Sequence, residues 1–598
     1  MQQRFGNSKI MQEKLSLLRQ KLKELGLNGF LVPQADPFQG DHGQHMPEIF
    51  ARLAYLTGFE GSLGMLVVLQ DKVAFFTDSR YTLAAGTLFQ NSNIPVLDIA
   101  EAKPESWLGE NTKTAEKIGY DPHLHKIGAL RKLEEELPQL EFVPLDKNPI
   151  DTLRDGSSDM KLAEIVPFPQ QYAGTTTAAK LQKITEQVKK EKANIAILHR
   201  QDAIAWLLNI RSEDGQMTPW AFSYALLDAD TGTLDWFVDA ARLTAEARAQ
   251  LGNSIRTIAP DKLAAALQGL GGKTVLLDEN DIAVWFKQQL EAGGANIKHG
   301  RDVTFQAKAC KNEAERNAMR AAHIRDGAAW CKFLHWLDGK KDFNDETEVT
   351  ISDQLQKFRK EYAEFRGLSF APISGWAGNG AIVHYKPEAD SCAPITQDNI
   401  LLLDSGAQYI DGTTDMTRVI PIGKISQEII TAYTAVLKGH IALANAVFPE
   451  GTTGAQLDGV TRAPLWQHGY DFGHGTGHGV GVYLSVHEDS ATISPRGQEA
   501  LREGMILSNE PGYYKAGAFG IRIENLQLVV SAGENKAGKK MLRFEPLTLI
   551  PYDKRLIDFS MLNENEKDYM VRYYKLLMEK VSPLLDNETA AWLQGFIA

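Results

Sequence analysis

The sequence predicts two successive α/β domains followed by a larger α+β domain. Three observations carry this reading. A helix–strand–hairpin order runs twice between residues 11 and 303. From about residue 304 the texture changes to long helices interspersed with pairs of antiparallel strands. The 598 residues also exceed what one compact domain holds, at ~100–200 residues per domain. The expected boundaries are 11–157, 158–303 and 304–598.

In the first domain, MQEKLSLLRQKLKELG reads as an amphipathic helix with leucines at 15, 17, 18, 22 and 25. GFLVP follows as a short buried strand, and LGMLVVLQDKVAFFTDSRY as two strands around a Gln-Asp turn. KNPIDTLRDGSSDMKLAEIVPFPQQYAG is polar and rich in chain breakers, and reads as a linker. The order then recurs: helix AAKLQKITEQVKKEK, strand NIAILH, helical DAIAWLLNI and hairpin SYALLDADTGTLDWFVD. This recurrence suggests a duplicated unit. In the third domain, Asn312 and Glu315 have the spacing of a capping box and open the helix EAERNAMRAAHIRDGAAWCKFLHWL. NILLLDSGAQY and TTDMTRVIPIG flank an Ile-Asp-Gly turn as an antiparallel hairpin. SQEIITAYTAVLKGHIALANAVF is a second long helix, and GMILSNEPGYY and GIRIENLQLVV are further strands. Helices packed on antiparallel strands make an α+β domain.

Composition narrows the function. Hydrophobic residues make up 43% and charged residues 23%, ordinary for a globular protein. Cys310, Cys331 and Cys392 stand far apart, which argues against a disulfide framework or a thiolate zinc site and fits a reducing compartment. The net charge of −12, without a basic stripe, argues against a nucleic-acid partner. The N-terminus lacks the apolar segment of a signal peptide, and no run approaches the ~18 apolar residues of a membrane span. A cytoplasmic enzyme is expected.

Two motif fragments fail. GLGGKT at 269–274 resembles the end of a phosphate loop, but Leu267 stands where a glycine is required and a strand follows it. His487-Glu488 begins a zincin-like pattern, but Ala491 occupies the place of its second histidine.

The acids of the third domain are harder to dismiss. Asp404 and Asp415 lie on the two arms of one predicted hairpin, Glu510 closes MILSNE, and Glu524 interrupts an apolar strand. A buried carboxylate costs several kcal/mol unless it is paired or bound to metal. One such acid reads as a turn or cap, and Arg522 with Glu524, two apart on one strand face, reads as a buried ion pair. Together with the imidazole of His478, however, four carboxylates call for cations, and two divalent ions would balance them. The stretch FGHGTGHGVGVYLSVHED, with three histidines and five glycines, lets backbone crowd close to such a site.

These residues resemble the ligand pattern of the pita-bread metallopeptidase family: Asp404 and Asp415 with ten residues between them, His478, then Glu510 and Glu524 with thirteen between them. DSGAQY-x-DGTTDMTR, HGTGHGVG, SNEPGYY, GIRIEN and FEPLTLIPYD are similar to the long, three-domain Xaa-Pro aminopeptidase branch of that family. The resemblance implies two creatinase-like N-terminal α/β domains and a pita-bread catalytic domain with a C-terminal helical extension. Residues 1–10 fit no part of the pattern and read as an extension. The implied cofactor is a pair of divalent metal ions, best matched by Mn²⁺, with Co²⁺ or Zn²⁺ as alternatives. Asp404 would chelate one ion, His478 and Glu510 the other, and Asp415 and Glu524 both. The metals would activate a hydroxide for attack on the scissile carbonyl, with Glu510 handling the water proton. His384 and His487 would hydrogen-bond substrate and stabilise the oxyanion or leaving nitrogen. His474 would line the pocket, Tyr514 would edge it, and Arg522 would orient a bridging carboxylate. The implied partners are peptides with proline at the second position and a second copy of the chain.

An Xaa-Pro bond is a tertiary amide without an N–H, so an enzyme that cuts it needs a slot for the ring. Prolidase, which cuts Xaa-Pro dipeptides, is the near alternative, but it usually has one N-terminal domain. Creatinase and the non-catalytic, peptidase-like binding modules lack the ligand set.

Overall fold

The structure is a computed structural model that describes residues 2–40, 46–154, 161–396 and 398–598. It divides into two compact units, one containing residues 1–170 and 175–305, the other 171–174 and 306–598.

The first unit holds two six-stranded sheets. In spatial order the first runs Val96–Asp98, Val73–Thr77, Met65–Leu69, Gly29–Pro33, Lys117–Tyr120 and Glu141–Pro144. The second runs Ile255–Ile258, Thr233–Phe237, Tyr224–Asp228, Ile195–Leu198, Thr274–Leu277 and Asn296–His299. The two share one pattern: two antiparallel pairings on one side of the central strand, then a parallel edge, with two parallel pairings on the other side. The duplicated order in the sequence is therefore a duplicated topology. The sheets contribute to one apolar cluster, with Leu31, Val67 and Phe76 from the first and Ile195, Ile197 and Leu226 from the second. Equivalent turns also meet, at the bridge between Lys126 and Ala283.

The first helix spans Gln2–Glu24, so it begins well before Met11. Leu15, Leu18 and Leu22 are buried on one face, while Leu17 and Leu25 face outward. The predicted linker at 147–174 is partly regular. Ile165–Pro167 pairs with Ile210–Ser212, and Gln170–Ala173 is a helical turn. Its residues 155–160 lie outside the described residues. GLGGKT runs straight into the strand Thr274–Leu277, as a failed phosphate loop should.

In the second unit every strand pairing is antiparallel. The helix Glu313–Asp338 opens on a full capping box: the Asn312 side chain accepts from the Glu315 amide (3.1 Å), and the Glu315 carboxylate from the Asn312 amide (2.8 Å). The expected hairpin is interrupted. Asn399–Asp404 pairs with Thr417–Ile422, while Ala407–Tyr409 pairs with Gly412–Thr413 in another sheet. GMILSNEPGYY and GIRIENLQLVV each divide likewise, into Ile506–Asn509 with Gly512–Lys515 and Phe519–Arg522 with Asn525–Glu534. Asp404 keeps its place in the ladder, opposite Ile373 and Thr417, whereas Asp415, Glu510 and Glu524 lie just outside the strands. Among the described residues no helix is long and apolar enough to cross a membrane.

Candidate metal centre

Four of the five predicted ligands sit where a strand ends or breaks. Asp404 ends Asn399–Asp404, and Glu510 follows Ile506–Asn509. Glu524 lies between Phe519–Arg522 and Asn525–Glu534. Asp415 lies in the irregular segment 414–416, not on a strand arm as the sequence suggested. His478 is the middle of the short strand Gly477–Gly479. The glycines beside it are required by close approach. A Cβ on Gly477 would meet the Ser508 carbonyl oxygen at 2.0 Å, and one on Gly479 the Ser490 hydroxyl at 2.0 Å.

Asp415, His478 and Glu524 each offer a donor atom, all within 4.8 Å of one another. His478 Nε2 lies 3.4 Å from both Asp415 Oδ2 and Glu510 Oε1. Its Nδ1 is 2.9 Å from the Gly479 carbonyl oxygen, which assigns a proton to Nδ1 and turns Nε2 toward the cluster, where a cation would displace the second proton. Ser508 donates to Glu510 Oε1 (3.0 Å) and Thr417 to Glu524 Oε2 (2.8 Å). Arg522 donates from Nη2 to Asp404 Oδ2 at 2.6 Å, and the buried Asp404 Oδ1 has no hydrogen-bond partner.

The electrostatics fit a cation site. Burial, reinforced by Asp415 and Glu510 and opposed by Arg522, pushes Asp404 up to about 7. Burial and the neighbouring carboxylates also push Glu510 up and Glu524 well up. Burial alone would lower His478, but its contact with Asp415 and the charges of Glu510 and Asp415 outweigh it and raise the imidazole to about 9. Carboxylates held so close retain protons unless a cation takes their place. The orphaned Asp404 oxygen, the His478 tautomer and a donor set of mostly oxygens with one imidazole all suit hard or borderline divalent ions.

The other predicted residues are placed as follows. Pairing of Gly479 with Glu488 sets His487 beside His478, with ring centroids 4.4 Å apart at 80°. His384 is half-buried in the turn after the 3₁₀ segment Ala377–Ala381, which packs on Asn399–Asp404 and Phe519–Arg522. His474 has both ring nitrogens engaged within the protein: Nδ1 with the Gly475 carbonyl oxygen (2.7 Å) and Nε2 with the Tyr514 hydroxyl (2.8 Å). A direct hydrogen bond from that ring to substrate is therefore not available without breaking one of these. Arg522 donates directly to Asp404, to Thr417 Oγ1 (3.2 Å) and to the Tyr514 hydroxyl (2.8 Å), and it meets the expected bridging carboxylate Glu524 through Thr417, which donates to Glu524 Oε2. The regular alternation that put Arg522 and Glu524 on one face ends at Arg522, where the strand stops. A chain of contacts thus runs from His474 through Tyr514 and Arg522 to Asp404. Sequence reasoning missed Thr417 and Ser508, which orient two of the acids. Their positions beside the TTDMTR and SNE ligands were the only available signal.

The fold and the site together define a metallopeptidase of the pita-bread class. Residues 317–531 match the metallopeptidase family M24, and 540–595 match the C-terminal region of that peptidase. Residues 14–155 and 157–315 each match a creatinase/prolidase N-terminal domain. The chain is 36% identical to a probable Xaa-Pro aminopeptidase P of Pyricularia oryzae over 97% of this chain and 98% of that one. It is 36% identical to aminopeptidase P2 of Arabidopsis thaliana over 98% and 88%. The crystal structure of an X-prolyl aminopeptidase from Caenorhabditis elegans, described as a cytosolic enzyme with a di-nuclear active site, superposes with a TM-score of 0.92. It is 29% identical and covers 98% of this chain and 99% of that one. A prolidase from Pyrococcus horikoshii, 21% identical with a TM-score of 0.50, covers 62% of this chain and 99% of its own, and shares the fold. The chain belongs to the Xaa-Pro aminopeptidase P family, in its three-domain form with two creatinase-like domains ahead of the M24 domain.

Proposed function

We propose that the chain is a metal-dependent aminopeptidase that hydrolyses the bond between the first residue and a following proline. The observation that carries this reading is the convergence of Asp415, His478 and Glu524 on one point in a chain 36% identical, over nearly its whole length, to Xaa-Pro aminopeptidases. Asp404, Asp415, His478, Glu510 and Glu524 would hold two divalent ions, with Mn²⁺ preferred. Bound there, the ions supply Lewis-acid polarisation of the scissile carbonyl and a nucleophile from water near neutral pH.

The remaining work falls to the chain. His478 keeps its Nδ1 proton on the Gly479 carbonyl and its Nε2 in the centre. Glu510, held by Ser508, accepts the proton released from water. His487, beside His478, donates a hydrogen bond to charge developing on the carbonyl oxygen or the leaving nitrogen. His384, on the loop above the ligand strands, acts with it. Arg522 holds Asp404 in place and is itself held by Tyr514. Peptide substrates, a homodimer, a cytosolic location and the boundaries 11–157, 158–303 and 304–598 complete the proposal. The acidic net charge supports the absence of a nucleic-acid partner.

The test is a matched set of Arg-Pro, Arg-Pro-Pro and Arg-Ala-Pro, with products identified by mass. We expect release of arginine from Arg-Pro-Pro. The proline ring adds about two methylenes of burial, worth roughly 0.8 kcal/mol each, over alanine. Efficient cleavage of Arg-Pro alone would point to prolidase. Equal rates on the two tripeptides would reject a proline slot.

A further inference from the structure

We propose that the buried ion pair between Asp326 and Arg359 is a positioning device that sets the relative placement of the ligands Asp404 and Asp415. Neither side chain has any exposed surface. Arg359 donates from Nε to Asp326 Oδ1 (2.7 Å) and from Nη2 to Oδ2 (3.0 Å). The remaining contacts reach the two ligand arms. From Nη1 Arg359 donates to Ser405 Oγ (2.5 Å) and the Gly406 carbonyl oxygen (3.3 Å), and from Nη2 to the Ser405 carbonyl oxygen (3.2 Å). Asp326 Oδ2 accepts from Thr414 Oγ1 at 2.7 Å, and Oδ1 from the Tyr409 hydroxyl at 3.0 Å. Ser405 directly follows Asp404, and Thr414 directly precedes Asp415. One pair therefore grips the residue adjoining each ligand.

The clamp is anchored outside the ligand strands. Asp326 lies in the helix Glu313–Asp338, and Arg359 ends the helix Glu348–Arg359. The preceding helix residue, Arg325, holds the tip of the same hairpin through Asp411, at 3.0 and 2.7 Å. Both arms are needed because regular strand ends where the ligands stand: 405–406 and 414–416 lie outside any strand. Two backbone bonds still span the arms, from the Ser405 amide to the Met416 carbonyl oxygen (3.0 Å) and from the Thr414 amide to the Ala407 carbonyl oxygen (2.8 Å), and the ion pair adds the side-chain bonds that orient Asp404 and Asp415 on them. A fully buried ion pair is a poor choice for stability alone, since an apolar set of similar volume often does as well. Its directional bonds give what apolar packing cannot, a fixed orientation of both arms.

This inference rests on the metal-centre reading above. The test uses full-length protein stripped with chelator and titrated calorimetrically with Mn²⁺, alongside the thermal midpoint of the metal-free form. Thr414→Val keeps the side-chain shape and removes the hydroxyl that Asp326 holds and that also accepts from the Ala407 amide at 3.0 Å. We expect about 10- to 100-fold weaker Mn²⁺ binding, the usual effect of losing an outer-shell partner, together with a lower metal-free midpoint from the unpaired Ala407 amide. Thr414→Ser, which restores the hydroxyl, should recover the wild-type affinity. Ser405→Ala, which removes the Arg359 contact on the other arm, should weaken binding in the same direction. Unchanged Mn²⁺ affinity in Thr414→Val and Ser405→Ala overturns the clamp. So does a fall in midpoint with affinity unchanged, since that is what a structural role alone predicts. Wild-type protein that takes up no Mn²⁺ overturns the metal-centre reading and the clamp with it.

Discussion

Replacing Tyr514 with phenylalanine separates a hydroxyl from a ring of nearly the same shape. The hydroxyl lies 2.8 Å from His474 Nε2 and 2.8 Å from Arg522 Nη1. Burial, eased by Arg522, pushes the phenol up to about 12, so it stays protonated near neutral pH and donates to His474 while accepting from Arg522. Tyr514→Phe leaves an imidazole acceptor and a guanidinium donor in the site without this partner. Leaving a buried polar group unsatisfied costs ~1–3 kcal/mol. At 1.36 kcal/mol per factor of ten, that corresponds to about a 5- to 150-fold loss of kcat/KM if it falls on the transition state. The loss has a route to the metals, because the same guanidinium holds Asp404 at 2.6 Å. The assay is cleavage of Arg-Pro-Pro at saturating Mn²⁺, with bound metal measured in parallel and the thermal midpoint as a control for folding. Unchanged kcat/KM would refute the argument. A lower midpoint with normal kinetics would reduce the His474–Tyr514–Arg522 chain to a structural one.

Chelation should abolish activity and Mn²⁺ should restore it best; full activity in protein shown metal-free by elemental analysis would sink the mechanism. Asp415→Asn should lose most activity with the fold intact, and wild-type turnover would show that the ligand assignment is wrong. His384→Ala and His487→Ala should each lower kcat/KM by ~10²–10³ while metal content stays at the wild-type level; metal loss would recast either residue as a ligand. His125 supplies a pH test in the first unit. Burial outweighs the pull of Asp121 and lowers this imidazole to about 4, and its Nε2 has no hydrogen-bond partner. A histidine whose folded pKa is depressed contributes fully above the unfolded value of ~6.5, and its contribution falls by ~1.36 kcal/mol per pH unit down to the folded value. Between pH 7.5 and 5 this amounts to about 2 kcal/mol. Denaturant unfolding of His125→Leu should show a correspondingly shallower acid limb, whereas a limb parallel to wild type would mean the histidine is not buried neutral.

Much of the architecture was legible in one dimension because it is local. Leucine spacing marked the buried face of the first helix, and Asn312 with Glu315 marked a helix start through bonds only three residues apart. The twice-repeated element order anticipated two sheets of identical topology. A candidate metal cluster was legible because four acids and a histidine in apolar surroundings make little sense without a cation, and Asp415, His478 and Glu524 do converge. Where those acids sit was less legible. Alternation assumes an unbroken strand, and the strands break at Asp415, Glu510 and Glu524.

By itself, then, the sequence determined which side chains could meet a metal and which segments would be helix or strand, since both follow from composition and short-range periodicity. Only the tertiary structure decided which partners hold those side chains. Arg522 bonds Asp404 directly across 118 residues and meets Glu524, two positions away, through Thr417. His474 gives both its nitrogens to the protein. Asp326 and Arg359, far from any ligand in the chain, close on the residues beside two of them. The physical reason is that a hydrogen bond depends on distance and direction to within fractions of an ångström, and segments remote in sequence acquire that relation only once the helices and sheets have packed.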